Sequence, residues 1–391
     1  MADTEVSVPL HVDDLDALRR RRSAKWRTYD PDVLPLPVAE HDFTLAPPVQ
    51  RALAEAVARS DTGYAMTEPV LGETVAAFAA RRWGWRLDPD AVTGLPDVGV
   101  AAVEVLRALV GPGDAVVVSP PVYGPFFSWV DEVRARLVEA PMRLHADGTW
   151  RLDLDALADA FRQRPRAYVL CSPHNPVGRV HDADKLAALA RLAAEHGVTV
   201  VADEIHAPLV LPGATFTPFL TVPGGAEVGV SLVSASKAFN LAGLKCAAVV
   251  TASDAMAAVA ARLPPHGRWR VGHLGLLATV AALADGDPWL DALVETLDLR
   301  RRQLVTVLAE RLPQVRWSPP EATYLAWLDC RALGEGAVPH ELFRDRGRVG
   351  LEPGPVFGTP GSGWVRLNFG TSAEILDEAV TRMTTAAATR A

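Results

Sequence analysis

The chain has 391 residues, of which 49% are hydrophobic and 22% charged. At roughly 150 residues per domain this allows two to three structural units whose core needs no metal or disulfide staple, and the balance excludes a disordered or fibrous chain. Lys and Arg number 39 against 47 acids, a net charge of −8, which argues against a nucleic-acid-binding surface.

In chain order, the N-terminus reads MADTEVSVPLHVDDLDALRRRRS. It is acidic and lacks the apolar stretch of a signal peptide, so a cytoplasmic protein is expected. Arg19–Arg22 with Lys25 and Arg27 read as the solvated end of a short helix rather than a nucleic-acid patch. Pro47 and Pro48 open a helix running to Arg59, and a second helix spans 98–110. The middle alternates β-branched runs at 115–119, 167–172, 198–202, 231–234 and 247–251 with helices such as 182–196, where Leu186, Leu189 and Ala193 share one face. That alternation predicts an α/β domain with a mostly parallel central sheet flanked by helices. The longest uncharged stretch, 205–226, carries Pro208, Pro212, Pro218 and Pro223 and cannot be a membrane helix.

Beyond about residue 285 the texture changes to a long helix at 288–311, strands at 324–329 and 364–369, a helix near 340–346 and a closing helix. The expected organisation is therefore a large domain at 45–285, with a smaller α+β domain built from 1–44 and 286–391. Cys171, Cys246 and Cys330 are odd in number and far apart, which fits a reducing compartment and no disulfide framework.

Motifs for a phosphate-binding P-loop, a metalloprotease, a calcium loop or a nucleophile elbow are absent, and no metal site is expected. Ser234–Lys237 matches the SxxK of penicillin-binding enzymes, but the other elements those enzymes need are missing. Instead, the chemistry-bearing residues cluster after successive strands, where α/β sheets place ligands. SPHNPVG (172–178) brings Asn175, DEIH (203–206) brings Asp203 and His206, and SASKAFN (234–240) brings Lys237. Singly these are a turn, a cap and a surface amine. Together they place an amide, a carboxylate and an amine at one pocket, with Arg366 added from WVRLNF (364–369).

This set resembles the fold-type I pyridoxal-phosphate (PLP) enzymes of the class I/II aminotransferase superfamily, and within it the cystathionine β-lyase branch of carbon–sulfur lyases. The likeness runs from Lys25-Trp26 and AEHDF (39–43) through Gly63-Tyr64, PPVY (120–123) and the three motifs above to ATYLAWLD (322–329) and VRLNF (365–369). It implies that Lys237 holds the cofactor's aldehyde and later removes the substrate Cα proton. It also implies that Asp203, rather than Glu204, pairs with the ring nitrogen, and that Asn175 donates to the ring 3-oxygen and borders the substrate. His206 stands where aminotransferases carry tyrosine; its imidazole either bonds the same oxygen or packs beneath the ring. Tyr123 stacks on the ring face or is a plain core aromatic.

For the phosphate the resemblance implies Ser234, Ser236, Lys245 and the backbone of Val98 and Gly99 at a helix N-terminus. Lys245 replaces a commoner arginine, and Asp97 brings an acid next to a dianion unless it points away. Tyr64 resembles a tyrosine that reaches the phosphate of a neighbouring subunit, which implies a homodimer with sites at the subunit interface. Arg366 is the expected clamp for the substrate carboxylate. Tyr324 reads first as core, and His41 is expected at the mouth of the pocket. The leading expectation is a PLP-dependent carbon–sulfur β-lyase acting on L-cysteine S-conjugates, with no nucleic-acid or membrane partner. A class I/II aminotransferase is the alternative, and a regulatory or binding protein on the same fold a third.

Overall fold

The computed structural model describes residues 10–334 and 338–388; the first nine residues of the N-terminal segment read above lie outside them. A seven-stranded sheet takes the strands in the order Val92–Leu95, Ala247–Val250, Gly229–Val233, Thr199–Asp203, Ala167–Cys171, Ala115–Val118 and Arg136–Glu139. Four of its pairings are parallel, and Ala247–Val250 runs antiparallel to both of its neighbours. Val92–Leu95 therefore points the same way as the parallel strands, and six strand ends open on one edge.

Helices cover both faces, so alternate side chains of the same strand enter different cores. Val116, Val118, Val169, Val201 and Leu232 pack toward the helices Val98–Leu109, Pro125–Glu132 and Asp254–Ala260. Ala115, Val117, Leu170, Val200 and Ala202 join the core on the opposite face, with Leu186, Leu189 and Ala193 of the helix Ala183–His196. The continuous β-branched runs expected from sequence are these doubly buried strands. Val92–Leu95 and the edge strand Arg136–Glu139 escaped that signal, because one carries Gly94 and the other exposes three of its four residues. The apolar helix His273–Asp285 was also unforeseen; it is too evenly hydrophobic to show one face.

A second, antiparallel sheet joins Leu325–Asp329, Trp364–Asn368 and Glu352–Pro353. Arg366 sits in its central strand, opposite Trp327 on one side and Glu352 on the other. Leu34–Pro35 pairs in parallel with Val349–Gly350, and from there residues 36–43 cross to the open edge of the large sheet. The expected arginine patch is a short helix, Leu15–Arg20, whose end is neutralised locally: Arg19 pairs with Asp16, and Arg21 with Asp13. Among the described residues no helix is long and apolar enough to cross a membrane.

Candidate active site

The strand ends and the N-terminus of the helix Val98–Leu109 enclose a cavity of about 240 Å³. Ten expected residues line it: Val98, Gly99, Tyr123, Asn175, Asp203, His206, Ser234, Ser236, Lys237 and Lys245. Arg366 lies one contact away, behind Asn175. Tyr64 does not reach this cavity; it is 81% exposed, edge-on to Trp269 at 6.1 Å.

Strand alternation separates the two acids of the DEIH motif. Asp203 faces the cavity, where its Oδ1 accepts from the Ile205 N–H at 3.2 Å. Glu204 faces the other core and is fully used there, accepting from Phe219 N–H at 2.7 Å and from the Ser231 hydroxyl. Burial pushes both carboxyls up to about 7. Only Asp203 opens to a space that a cation-bearing ligand can fill, so the sequence assignment of the first acid agrees with its side.

Lys237 follows the strand Gly229–Val233, and its Nζ donates to the Ala39 carbonyl at 3.1 Å. Burial, and then the charge of Arg366, lower its amine from the usual lysine range to about 8. Ala39 belongs to a strap of residues 37–42 whose six carbonyls are all held by side chains. Arg366 takes Pro37 O, Asn368 takes Val38 O and Glu40 O, Lys237 and Tyr324 share Ala39 O, Asn240 takes His41 O and Arg21 takes Asp42 O. Beneath the strap, Lys25 and Asp42 form a fully buried ion pair at 2.7 Å, and the Trp26 indole donates to the same carboxylate. The Lys25-Trp26 and AEHDF segments singled out from sequence thus meet each other. A buried pair with every oxygen used specifies geometry more surely than it adds stability.

Arg366 is 4% exposed. Its Nη1 donates to Asn175 Oδ1 at 3.1 Å and its Nη2 to Pro37 O at 2.6 Å, while its Nε has no hydrogen-bond partner among the described residues. The guanidinium lies over the Phe357 ring at 5.0 Å, which fixes its plane. Tyr123 meets Phe126 and Trp129 edge-on and borders the cavity; burial, then Asp203, raise its phenol. His206 also lines the cavity, 3% exposed and with Nδ1 unpartnered; burial lowers its imidazole to about 3, so it is neutral.

At the far end, two side chains beside the expected phosphate site already have partners within the protein. Asp97 is the N-cap of the helix Val98–Leu109: Oδ1 accepts from Val100 N–H at 2.8 Å, while Oδ2 pairs with Lys245 at 3.0 Å. The acid does not simply point away; it takes up one helix N–H and pairs with the lysine, leaving Val98 and Gly99 N–H for a ligand. Ser234 is likewise committed, donating to Cys246 O at 2.7 Å and accepting from Ser236 N–H. That pair of bonds ties the loop together, and both Ser234 and Ser236 stand on the cavity wall. One expectation is corrected, that of His41. It is 1% exposed among Phe43, Trp289 and Tyr324, with Nε2 3.4 Å from Ala238 O. It is a core residue and not part of the pocket mouth.

The model of the family described as aminotransferase class I and II matches residues 31–383. The chain belongs to that family. Among its class I/II relatives is a provisionally named cystathionine beta-lyase of Mycobacterium leprae (strain TN), 45% identical over 96% of this chain and 98% of the relative. The cystathionine beta-lyase PatB of Bacillus subtilis (strain 168) is 34% identical over 90% of this chain and 92% of its own length. Cystalysin from Treponema denticola, whose crystal structure contains pyridoxal 5'-phosphate, superposes with a TM-score of 0.89 at 25% identity, covering 95% of this chain and 98% of its own.

Within this family fold, Trp129 was missed. It lines the cavity, and its Nε1 lies 3.4 Å from where a Cβ on Gly99 would stand. The pairing of a glycine at a helix start with a tryptophan thirty residues later leaves no local motif. Tyr324 is core, as read, yet its hydroxyl reaches Ala39 O at 2.9 Å beside Lys237.

The donor set fits pyridoxal phosphate. Asp203 is a deeply buried carboxylate whose one hydrogen bond is to Ile205 N–H, and a protonated ring nitrogen supplies the cation it lacks. Asn175, with Oδ1 held by Arg366, keeps Nδ2 to donate to a ring oxygen.

Proposed function

We propose that this protein is a PLP-dependent carbon–sulfur β-lyase of the cystathionine β-lyase type. An L-cysteine S-conjugate plus water gives a thiol, pyruvate and ammonium. The observation that carries this reading is the amine of Lys237, buried and lowered to about 8, in one cavity with Asp203 and Asn175. Relatives named for cystathionine lysis that align over nearly the whole chain support the choice of leaving group.

Bound pyridoxal phosphate supplies a protonated ring that accepts the electron pair left when the substrate Cα–H bond breaks. Lys237 would hold the cofactor at Nζ, and its free amine would take the Cα proton at the same atom. An amine near 8 is basic enough to accept that proton and is still partly unprotonated at neutral pH. Asp203 keeps the ring nitrogen protonated. Asn175 would donate to the ring from Nδ2, and Tyr123, which borders the cavity, would pack against it. Arg366 offers its guanidinium to the α-carboxylate and so sets which Cα bond stands perpendicular to the ring. Val98 and Gly99 N–H, Ser236, Lys245 and Trp129 form the phosphate end. With the cofactor bound, the electrons left at Cα would form a Cα–Cβ double bond as the C–S bond breaks, and sulfur would leave with that bond's pair as thiolate.

We further propose a homodimer. Tyr64, Met66 and Trp269 are 81%, 70% and 58% exposed and apolar, a patch that a second copy covers, carrying Tyr64 toward the partner's phosphate end. In the same terms, residues 45–285 are the proposed cofactor-binding domain and 1–44 with 286–391 the smaller one; the seven-stranded sheet spans 92–250 and the three-stranded sheet 325–368, which supports that division.

L-cystathionine incubated with the purified protein tests the reading. Stoichiometric pyruvate and free thiol are expected without added 2-oxo acid. A requirement for a 2-oxo acid acceptor makes the protein an aminotransferase instead. Sedimentation of the wild type against Trp269→Asp tests the dimer; an unchanged monomeric wild type overturns it.

A further inference from the structure

Tyr324 is completely buried in a core that phenylalanine would fill equally well, with the His41 ring edge-on at 5.8 Å. What phenylalanine lacks is the hydroxyl. That hydroxyl donates to Ala39 O at 2.9 Å and lies 3.5 Å from the backbone oxygen of Lys237. The same Ala39 oxygen accepts the Lys237 amine at 3.1 Å. A carbonyl has two lone pairs, and here one is taken by the tyrosine and the other by the amine.

The peptide that carries this carbonyl is held from both sides. Asn368 Nδ2 bonds Val38 O at 2.7 Å and Glu40 O at 2.6 Å, so the neighbouring carbonyls on either side of Ala39 are fixed. The orientation of Ala39 O is therefore set by Asn368 at its flanks and by Tyr324 on the oxygen itself. Lysine needs such a guide, because its four-carbon stem has much rotamer freedom to lose when ordered.

We propose that Tyr324 is a positioning residue for the proton transfer at Cα: by occupying one lone pair of the Ala39 carbonyl it fixes the other as the resting place of the free Lys237 amine. The amine is then presented to the cofactor's aldehyde before linkage, and to Cα after displacement, from one defined direction. This rests on the assignment of Lys237 as the base, made above, but not on the fate of the β-substituent.

Tyr324→Phe tests it, with two independent readouts. In the cofactor-free full-length protein, uptake of added pyridoxal phosphate, followed by its visible absorbance, is expected to slow about fivefold. In the holoenzyme, kcat and the rate of Cα–H exchange into deuterium oxide, read by proton NMR on L-cystathionine or L-alanine, are expected to fall together by about tenfold, with KM within about twofold. Tyr324→Leu, which removes the ring as well, should be no slower per folded molecule than Tyr324→Phe. Unchanged uptake and exchange in Tyr324→Phe overturn the proposal. So does a fall in kcat matched by a rise in KM and a lowered thermal midpoint, the pattern of loosened packing. A wild type that exchanges Cα hydrogen but forms no pyruvate removes the lyase reading alone; the Tyr324→Phe loss of exchange then still supports the positioning role.

Discussion

Asn175 turns its Oδ1 to the Nη1 of Arg366 at 3.1 Å. The residue expected to touch the cofactor ring thus orients the residue expected to hold the substrate carboxylate. The guanidinium's second anchor is Pro37 O at 2.6 Å, so the fork is placed by one contact from each side of the cleft.

Replacing Asn175 by alanine should remove both a ring donor and the guanidinium's anchor. KM for L-cystathionine is expected to rise about tenfold and kcat to fall by a similar factor, since hydrogen bonds to charged groups are worth about 1.5–3 kcal/mol. Arg366→Lys keeps the charge but loses the planar fork and the stack on Phe357. It should raise KM by about 10- to 100-fold with a smaller effect on kcat. Steady-state kinetics separates the two patterns, and equal KM in Arg366→Lys would remove the carboxylate role.

Asp203→Asn separates stability from function. In the cofactor-free protein the buried carboxyl of Asp203 is raised to about 7, so above that pH folding holds an unpaired charge. The asparagine variant without cofactor should melt about 2–5 °C higher at pH 8 than the wild type, yet lose at least about a hundredfold in turnover when loaded. Calorimetry on the cofactor-free pair decides the first half; a lower midpoint for the variant contradicts the burial argument.

The pH dependence of stability has a definite sign. Asp203 and Glu204, raised to about 7, bind more protons folded than unfolded, and their contribution is lost as pH rises from about 4 to 7. His41, His181 and His206, lowered to about 3, and His174, lowered to about 4, are neutral when folded; their contribution is present above 6.5 and lost as pH falls below it. Four imidazoles outweigh two carboxyls, so the cofactor-free protein should lose stability steadily from pH 6.5 down to 4. Urea titrations across that range check it, and a midpoint that climbs on acidification contradicts it.

Asp97→Asn keeps an oxygen to cap Val100 N–H while removing a negative charge from the phosphate end. It should tighten pyridoxal phosphate by about 2- to 10-fold and leave unphosphorylated pyridoxal unchanged, with little change in melting, because the exposed pair with Lys245 adds about 0–1 kcal/mol. Titration of the cofactor-free protein with both compounds reads the difference.

Sequence alone determined the α/β class and put forward the set of residues proposed to hold the cofactor. Both rest on local pattern: β-branched runs that strands bury on two faces, and short motifs that follow strand ends by steric necessity. Asp203 over Glu204 came from the family resemblance alone; which of the two adjacent strand residues faces the cavity was decided by the fold. Tertiary structure decided what is done by contacts between distant segments. That Asp97 is tied to Lys245, that Ser234 is spent on Cys246 O, that His41 is core, and that six consecutive strap carbonyls meet side chains from four regions cannot be read from any window of sequence. Backbone carbonyls are chemically identical at every position, and only the fold chooses which of them a lysine or an arginine meets.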